Sequence, residues 1–230
     1  MTDGTVGART TAWMSWSSGK DSALSLHEVK SAGSLEVVGL LTTLNAAADR
    51  VAMHGVRHSL LRAQAERLGL PLHVVELPSP CPNEVYEEHM TGAVHTAQEE
   101  GIGAVVFGDL FLHDVRRYRE DALEGTGIAP VFPLWGRPTA VVARDIIRLG
   151  FRAIVTCVDL AQTPREIVGR DFDEVLLSEL PSAVDPCGEN GEFHTVVVDG
   201  PDFSRPIEVS VGEIVEREGF LFADVVVASE

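Results

Sequence analysis

The sequence has few cysteines and no long apolar run, and each shortage excludes a class of protein. Its three cysteines, Cys81, Cys157 and Cys187, are odd in number and widely spaced, which fits neither a disulfide framework nor a CxxC zinc or redox site. No apolar run approaches the roughly 18 residues that a membrane-spanning helix needs. The first residues lack the basic and apolar segments of a secretory signal. We therefore expect a cytoplasmic protein without a membrane partner.

Basic residues are also scarce: 18 Lys and Arg stand against 35 Asp and Glu, which gives a net charge of -17. The summed field repels polyanions and makes a nucleic-acid partner unfavourable. A nucleotide is a smaller anion, and it can still bind where backbone amides, one or two cations and a divalent metal supply local positive potential. A phosphate site in this chain therefore implies Mg²⁺.

Apolar, β-branched runs of strand length alternate with segments of helical period along much of the 230-residue chain. This alternation is typical of βαβ units around a buried parallel sheet and predicts an α/β fold. The predicted strands are 11–15, 35–43, 72–77, 104–109 and 152–158. The predicted helices are 21–33, 55–69, 83–101, 113–127 and 139–150.

The alternation of predicted strands and helices ends after about Asp159, where a short helical piece and a glycine-rich loop precede strand-like segments. The last of these segments alternates around Glu218 and Gly219 like a hairpin. We therefore predict two domains. Residues 10–160 form an α/β nucleotide-binding domain, and residues 161–230 form a smaller α+β domain that completes the substrate site.

The hexapeptide SSGKDS, residues 17–22, joins the first predicted strand to the first predicted helix. It is not a Walker A loop, because Met14 and Asp21 stand where that loop needs glycine and a serine or threonine. Amides at a helix N-terminus, three hydroxyls and a lysine nevertheless make an anion site. Ordinary capping of the helix by Ser17 or Ser18 explains the same residues about equally well.

Several motifs together carry a resemblance to a known family. The hexapeptide resembles the SGGKDS-type PP-loop of N-type ATP pyrophosphatases. The chain is also similar to the diphthine–ammonia ligase (diphthamide synthase ATP-binding) family. The similarity runs from about Ala12 to Phe203, in the segments MHGV, FGDL…RRYRE, FPLWGRPT, LGFRAIV, VGR and DPCGENGEFHT. The resemblance implies a Rossmann-like (HUP-type) parallel sheet with helices on both faces. It also implies cleavage of ATP between its α- and β-phosphates and formation of an amide from a carboxylate and ammonia.

The chain departs from this family at three places. Ser18 stands where the loop usually has its first glycine, which is tolerable if Ser18 keeps a negative φ. Asp114 and Val115 precede Arg116 where diphthine ligases carry a Tyr-Gln pair, and His194 replaces their usual glutamate. These differences indicate a subgroup with a different acceptor.

Ligands of open α/β sheets sit beyond the carboxyl ends of the strands, so residues there are the candidates for a site. Thr43 and His54 follow this rule, although a capped loop and a structural histidine explain them as well. Gly108 and Asp109 end a buried strand, which indicates a loop that approaches a ligand or holds a metal. Arg116 belongs either to the site or to an ion pair one helical turn away.

The glycine-rich loop DPCGENGEFHT offers acidic residues and a Cys/His pair. One cysteine and one histidine make only half a zinc site. The family resemblance gives Glu189 and Glu192 a role in binding ammonium and taking its proton, since amide formation requires a neutral amine. Without the resemblance, an acidic turn explains the loop.

The residues and the resemblance together predict the following site. The residues predicted to bind ATP are Ser17, Ser18, Gly19, Lys20, Asp21, Ser22, Thr43, His54, Gly108, Asp109 and Arg116. The predicted catalytic residues are Lys20, Asp21, Glu189 and Glu192, and the predicted Mg²⁺ ligands are Asp21 and Asp109.

The predicted enzyme adenylates a carboxylate and amidates it with ammonia. Its expected partners are ATP, ammonia and a carboxylate-bearing acceptor, of which a protein side chain is one candidate. A PP-loop tRNA-modifying ATP pyrophosphatase and a non-catalytic ATP-binding protein are the alternatives. A homodimer is left open.

Overall fold

The structure, a computed structural model, describes residues 9–47, 50–51 and 55–228. Its strands are β1 (Thr10–Ser15), β2 (Leu35–Asn45), β3 (Arg50–Val51), β4 (Leu72–Leu77), β5 (Ala104–Val106), β6 (Ala129–Val131), β7 (Arg152–Asp159), β8 (Phe193–Asp199), β9 (Val209–Arg217) and β10 (Phe220–Val227). Its helices are α1 (Lys20–Ala32), α2 (His58–Leu68), α3 (Asn83–Glu99), α4 (His113–Leu123), α5 (Thr139–Arg148) and α6 (Glu174–Glu179). Among the helices in the described ranges, none has the length and apolar character to cross a membrane.

The first sheet is mainly parallel. Strand β1 pairs with β2 on one side and β5 on the other, β4 pairs with β2, and β6 pairs with β5. Among the described strands of this sheet, only the short β3 is antiparallel, along the last two residues of β2. The chain thus places β2 and β4 on one side of β1 and then crosses to the other side, where it places β5 and β6. The reversal between β1 and β5 is a topological switch point, where sheets of this kind bind ligands.

Side chains alternate across this sheet into two apolar layers. Met14 of β1 contributes to one layer together with Leu24 of α1 and Leu60 of α2. The next side chain back, Trp13, contributes to the other layer, which contains Ala97 of α3. Helices therefore cover both faces, and the predicted α/β fold with helices on both faces is confirmed.

The second sheet is antiparallel, in the order β8–β7–β10–β9. The hairpin predicted between its last two strands is confirmed. Glu218 and Gly219 both have positive φ, 51° and 85°, as a two-residue hairpin turn of this kind requires.

Strand β7 was expected to belong to the parallel sheet, and that expectation is wrong. It lies in the middle of the antiparallel sheet, between β8 and β10. The run Arg152–Asp159 is apolar and β-branched, and such a run reads alike at the centre of either kind of sheet. The chain changes sheets before β7 and not after it, while the domain boundary near residue 160 stays a prediction.

The two sheets share one continuous apolar core, to which α1, α2, α5, β7, β8 and β10 all contribute. A backbone hydrogen bond also joins the second sheet to the loop after β1, since the amide of Val197 donates to the carbonyl of Ser18 at 2.9 Å. The hexapeptide loop is therefore held by both sheets.

Candidate active site

A polar cavity of about 240 Å³ lies at the switch point, between the end of β1, the start of α1, the residues after β5 and the glycine-rich loop. Seven of the predicted site residues line it: Ser17, Lys20, Asp21, Ser22, Gly108, Asp109 and Glu189. Parallel neighbours β1 and β5 end at the same edge of the sheet, and this brings the two sequence motifs together. The predicted residue His54 lies outside the described residues.

The N-terminus of α1 opens into this cavity, and no side chain of the hexapeptide caps it. Gly19 occupies the capping position, so the explanation of the hexapeptide by serine capping is wrong. The serine hydroxyls bond one another instead: Ser17 Oγ donates to Ser22 Oγ at 3.1 Å, and Ser22 Oγ donates to the Gly19 carbonyl at 2.9 Å. The first amides of a helix have no acceptor within the helix and carry partial positive charge. The arrangement suits an anion.

Ser18 does not keep the negative φ that the sequence analysis required of it. Its φ is +71°, in the left-handed region that a non-glycine residue enters at a cost of about 1–2 kcal/mol. The residue is fully buried, and among the described residues its hydroxyl has no hydrogen-bond partner. The backbone at position 18 thus has the left-handed conformation that glycine adopts readily, although a serine stands there. Contacts other than those of the Ser18 hydroxyl must therefore stabilise it.

Lys20 is the buried cation of the cavity, with only 2% of its side chain exposed. Its Nζ donates to Asp21 Oδ2 at 2.8 Å and to the backbone carbonyl of Cys187. Burial lowers the pKa of Lys20, but the charge and hydrogen bond of Asp21 together with the charges of its other neighbours raise it by more in total. The ammonium therefore stays charged, and it connects α1 to the glycine-rich loop.

Three carboxyl groups share the cavity with Lys20, and each has a raised pKa. Burial is the main cause for Asp21, Asp109 and Glu189, and the charge of Asp21 adds to the shift of the other two. Burial and Asp21 together raise the pKa of Glu189 to about 7. Crowded, desolvated carboxyl groups of this kind are typical of sites that bind a cation or transfer a proton.

Asp21 and Asp109 could supply two of the ligands that Mg²⁺ requires. Asp21 Oδ1 and Asp109 Oδ2 are buried and, within the described ranges, accept no hydrogen bond; the nearest cation to the second is Arg119 Nε at 3.8 Å. Groups of three or more His, Cys, Asp or Glu that could hold a metal ion are absent from the described residues. Mg²⁺ usually takes one or two carboxylates and completes its shell with phosphate oxygens and water. The two aspartates match that mode.

The two glutamates of the glycine-rich loop differ in whether they face the cavity. Glu192 is buried and accepts hydrogen bonds from the amides of Asp185 and Asn190 and from the Asn190 side chain, at 2.9–3.0 Å. It therefore folds the loop and does not line the cavity. Glu189 lines the cavity, where one oxygen accepts from the amide of Leu110 at 3.1 Å. Glu189 is the carboxylate that this loop presents.

Two other predicted residues also lie away from the cavity lining. Thr43 is on β2, paired with Val75. Arg116 lies over the rings of Phe132 and Trp135, 4.9 and 4.7 Å from their centroids. It also donates to Glu120 at 2.7 Å, the ion pair that was the alternative reading of this residue. The arginine that reaches the cavity is Arg119, one helical turn further along.

Sequence reasoning missed several residues that line the cavity: Ser15, Phe107, Arg119, Cys187, Gly188, Phe193, His194 and Thr195. Thr195 has a defined contact, since its Oγ1 accepts from the amide of Lys20 at 3.2 Å. Ser15 ends the strand before the hexapeptide, and Phe107 begins the motif FGDL, so their position at strand ends was a usable signal. Arg119 and Thr195 lie within quoted motifs, but which residues of those motifs face the cavity is set by the rotation of α4 and the course of β8.

Cys187 lines the cavity but has the properties of a structural residue. Its thiol is buried and donates to the carbonyl of Thr139 at 3.3 Å. Burial is the main cause that raises its pKa, and a protonated thiol is neither a nucleophile nor a metal ligand. Its carbonyl, which accepts from Lys20, is the group that the site uses.

Comparison with known proteins agrees with the motifs. The family model described as the diphthamide synthase N-terminal domain matches residues 9–130, and the one described as the diphthamide synthase C-terminal domain matches residues 138–227. The chain belongs to the diphthamide synthase family. The resemblance drawn from the sequence motifs is thereby confirmed. The first match ends within β6 and the second begins just before α5, shortly before the chain changes sheets.

Several curated relatives are named diphthine–ammonia ligase. The one from Danio rerio is 28% identical over 230 residues, covering 91% of this chain and 90% of the relative. The one from Homo sapiens is 26% identical over 233 residues, covering 91% and 86%. The one from Schizosaccharomyces pombe is 25% identical and covers 87% of this chain but 36% of its own length. The likeness spans both sheets.

The raised pKa of Glu189 predicts a pH-dependent effect of Glu189→Gln on stability. A carboxyl group with a pKa near 4.5 in the unfolded chain and about 7 in the folded protein favours the folded state below pH 4.5, and this contribution is lost as the pH rises to 7. Glutamine does not titrate. The wild type therefore loses stability between these pH values that the variant keeps. The free energy of unfolding of the variant, relative to the wild type, should rise by about 1–2 kcal/mol over this range, after allowance for partial exposure.

Urea denaturation of both proteins at several pH values measures this gain. The surface change Glu208→Gln removes the same charge from an exposed position and serves as the control. A stability difference between Glu189→Gln and the wild type that stays constant from pH 5 to pH 8 would contradict the prediction.

Proposed function

We propose that this protein is an ATP-dependent ligase that joins a carboxylate to ammonia, with AMP and pyrophosphate as the other products. The relatives it resembles are named diphthine–ammonia ligases. The observation that carries the proposal is the N-terminus of α1, which no side chain of the hexapeptide caps, with the buried, charged Lys20 beside it at the switch point of the sheet. These groups supply the positive potential that a triphosphate needs in a chain of net charge -17.

The first step activates the acceptor. A carboxylate oxygen of the acceptor attacks the α-phosphorus of ATP, the bond from this phosphorus to the bridging oxygen breaks, and pyrophosphate leaves with the electron pair. Negative charge grows on the pyrophosphate. The α1 amides and Lys20 are the groups we assign to stabilise that charge, and such fixed donors are the main catalytic device in phosphoryl transfer. The products of this step are an acyl-adenylate and pyrophosphate.

The second step forms the amide. Ammonia attacks the acyl carbon, the carbon–oxygen bond to AMP breaks, and a proton leaves the nitrogen. Glu189 is the base we assign, because its pKa of about 7 leaves it partly ionised near neutral pH and a general base works best near the operating pH. Glu192, also predicted as catalytic, is assigned a supporting role, because its hydrogen bonds shape the loop that carries Glu189.

Asp21 and Asp109 are the residues that would hold Mg²⁺, through the two oxygens that accept no hydrogen bond within the described ranges. When bound there, Mg²⁺ would neutralise charge on the phosphate oxygens. Asp21 also fixes the orientation of the Lys20 ammonium through their hydrogen bond.

The acceptor is a carboxylate-bearing molecule, and the names of the relatives make diphthine the first candidate. Arg116, preceded by Asp114 and Val115, is directed to an ion pair and aromatic rings, which supports a subgroup with its own acceptor. The cytoplasmic location and the homodimer stay predictions from the sequence.

The proposed function is tested by incubating the protein with Mg²⁺, ATP and ammonium, together with diphthine or a panel of other carboxylic acids. Chromatography quantifies AMP, and mass spectrometry detects the amide. We expect AMP and pyrophosphate in equal amounts, only when a suitable acid is present. ATP binding without AMP under every condition would indicate a nucleotide-binding protein, and AMP release that depends on tRNA would indicate a tRNA-modifying enzyme. Absence of ATP binding in calorimetry would reject the site itself.

A further inference from the structure

Gln64 of α2 is a fully buried polar side chain in an otherwise apolar part of the core. Its amide makes three hydrogen bonds: Oε1 accepts from Trp16 Nε1 at 2.8 Å, and Nε2 donates to the carbonyls of Ser18 at 3.0 Å and Val197 at 2.7 Å. The reversed amide orientation would lose all three bonds, because it would set donor against donor and acceptor against acceptor. The side chain is therefore held in one orientation, and buried groups this well satisfied specify local geometry.

The three partners of Gln64 lie on the two structures that meet at the cavity. Trp16 and Ser18 belong to the loop between β1 and α1, on either side of Ser17. Val197 belongs to β8, which begins with cavity residues of the second sheet. The amide of Val197 also donates to the Ser18 carbonyl, so this one oxygen accepts two hydrogen bonds from the protein interior.

Because the Ser18 carbonyl is held toward the core, the direction of the N–H on the opposite side of the same peptide is fixed as well. The carbonyl and the N–H of a planar trans peptide point in opposite directions, so the N–H of Gly19 is turned toward the hydroxyl of Ser17, 3.3 Å away at the edge of the cavity. A flip of this peptide would instead present a carbonyl oxygen to the cavity. An anion would be attracted by the first arrangement and repelled by the second.

The left-handed backbone of Ser18 makes the peptide susceptible to such a flip. A non-glycine residue with a φ of +71° is strained, and strain persists only where the surroundings over-determine it. Within the described residues, Ser18 gains nothing from its own hydroxyl, which has no partner. The two hydrogen bonds to its carbonyl are the contacts that oppose the strain.

We infer that Gln64 is a positioning residue for the ATP site: it fixes the Ser18–Gly19 peptide so that its N–H points to Ser17 Oγ at the edge of the cavity and its carbonyl does not face the triphosphate. The inference rests on the proposed function, because the ligand of the loop is taken to be ATP. Gln64 does not touch the ligand, and its effect is transmitted through Ser18.

Calorimetric titration with ATP and Mg²⁺ tests this inference on four proteins: the wild type, Gln64→Met, Ser18→Gly and the double variant. Methionine keeps the approximate shape of glutamine and removes its hydrogen bonds. We expect Gln64→Met to weaken ATP binding at least tenfold, and the measured affinity of Ser18→Gly serves as the reference for the double variant. Because glycine removes the strain at position 18, the double variant should recover at least half of the loss on a logarithmic scale. Gln98→Met, on α3 outside the cavity lining, controls for a lost glutamine.

Recovery by Ser18→Gly distinguishes positioning from packing, because glycine relieves the strain at position 18 and restores none of the contacts that Gln64→Met removes. ATP binding by folded Gln64→Met at the wild-type level would overturn the inference, and so would a loss that Ser18→Gly leaves unchanged. If Gln64→Met does not fold, a double variant that folds and binds ATP within threefold of the wild type supports the inference, and one that also fails to fold overturns it. Absence of ATP binding by the wild type would reject the proposed function, and this inference with it.

Discussion

Lys20→Met is expected to lower the rate of AMP formation by about 10²–10³-fold, the usual effect of removing one preorganised group that stabilises developing charge. The ammonium is buried and charged, and it lies beside the helix N-terminus where pyrophosphate is proposed to leave. The loss should fall on kcat and on kcat/KM for ATP together, because the charge on pyrophosphate is largest in the transition state. AMP formation under saturating and limiting ATP measures both constants.

Lys20→Met should also reduce stability, because it leaves the carboxylate of Asp21 without its partner. Breaking a buried ion pair costs about 3–5 kcal/mol, and the 25% exposure of Asp21 places this pair at the lower end of that range. Adding Asp21→Asn to Lys20→Met removes the unpaired charge and should restore most of the stability without restoring activity. The double variant thus separates a folding defect from a catalytic one.

The chain provides a matched control in its only other lysine, Lys30. Lys30 lies on the same helix, is 42% exposed, and pairs with Asp202 at 2.8 Å. Lys30→Met should change AMP formation by less than about twofold and stability by less than about 1 kcal/mol, as is usual for exposed ion pairs. Near-normal turnover of Lys20→Met would reject the role of Lys20, and equal losses from both lysine variants would indicate a general charge effect.

The strands and helices were predictable from the sequence wherever a periodic apolar segment was long. The elements β1, β2 and β4 and the first five helices follow from runs of strand or helix length. The strand β6 was missed because it has only three residues, one of them Pro130, which breaks the pattern of a strand. The sheet to which β7 belongs was predicted wrongly, because burial on both faces is common to central strands of either sheet.

The position of the site was predictable, while the choice among similar residues was not. The hexapeptide and Gly108–Asp109 were expected to meet, because parallel strands end at one edge of the sheet. Gly108 proves to be a packing residue: a Cβ there would lie 3.0 Å from the backbone nitrogen of Ser22. Which of Glu189 and Glu192 faces the cavity depends on hydrogen bonds within the loop that no periodicity encodes. Gln64 depends on three partners distant in sequence.

Gly188→Ala is expected to lower AMP formation at least a hundredfold, because it displaces the loop that carries Glu189. Gly188 has a φ of +69°, and a Cβ at this position would lie 2.6 Å from the backbone carbonyl oxygen of Phe193. A contact with backbone cannot be relieved by rotating a side chain, so the loop must move. Cys187 and Glu189, the two neighbours of Gly188, then lose their hydrogen bonds to Lys20 and to the Leu110 amide. We expect stability to fall by about 2–4 kcal/mol, combining backbone strain with steric overlap.

Gly191→Ala separates the steric overlap from the backbone strain in the same loop. Gly191 has a φ of +85°, but nothing lies within 4 Å of a Cβ at this position. Alanine there adds only the left-handed strain, about 1 kcal/mol, and AMP formation should stay within about threefold of the wild type. Urea denaturation and AMP assays of the two variants side by side measure the contrast. Equal effects of the two alanines would show that strain alone governs the loop, and near-normal activity of Gly188→Ala would show that catalysis does not require Glu189 where this loop holds it.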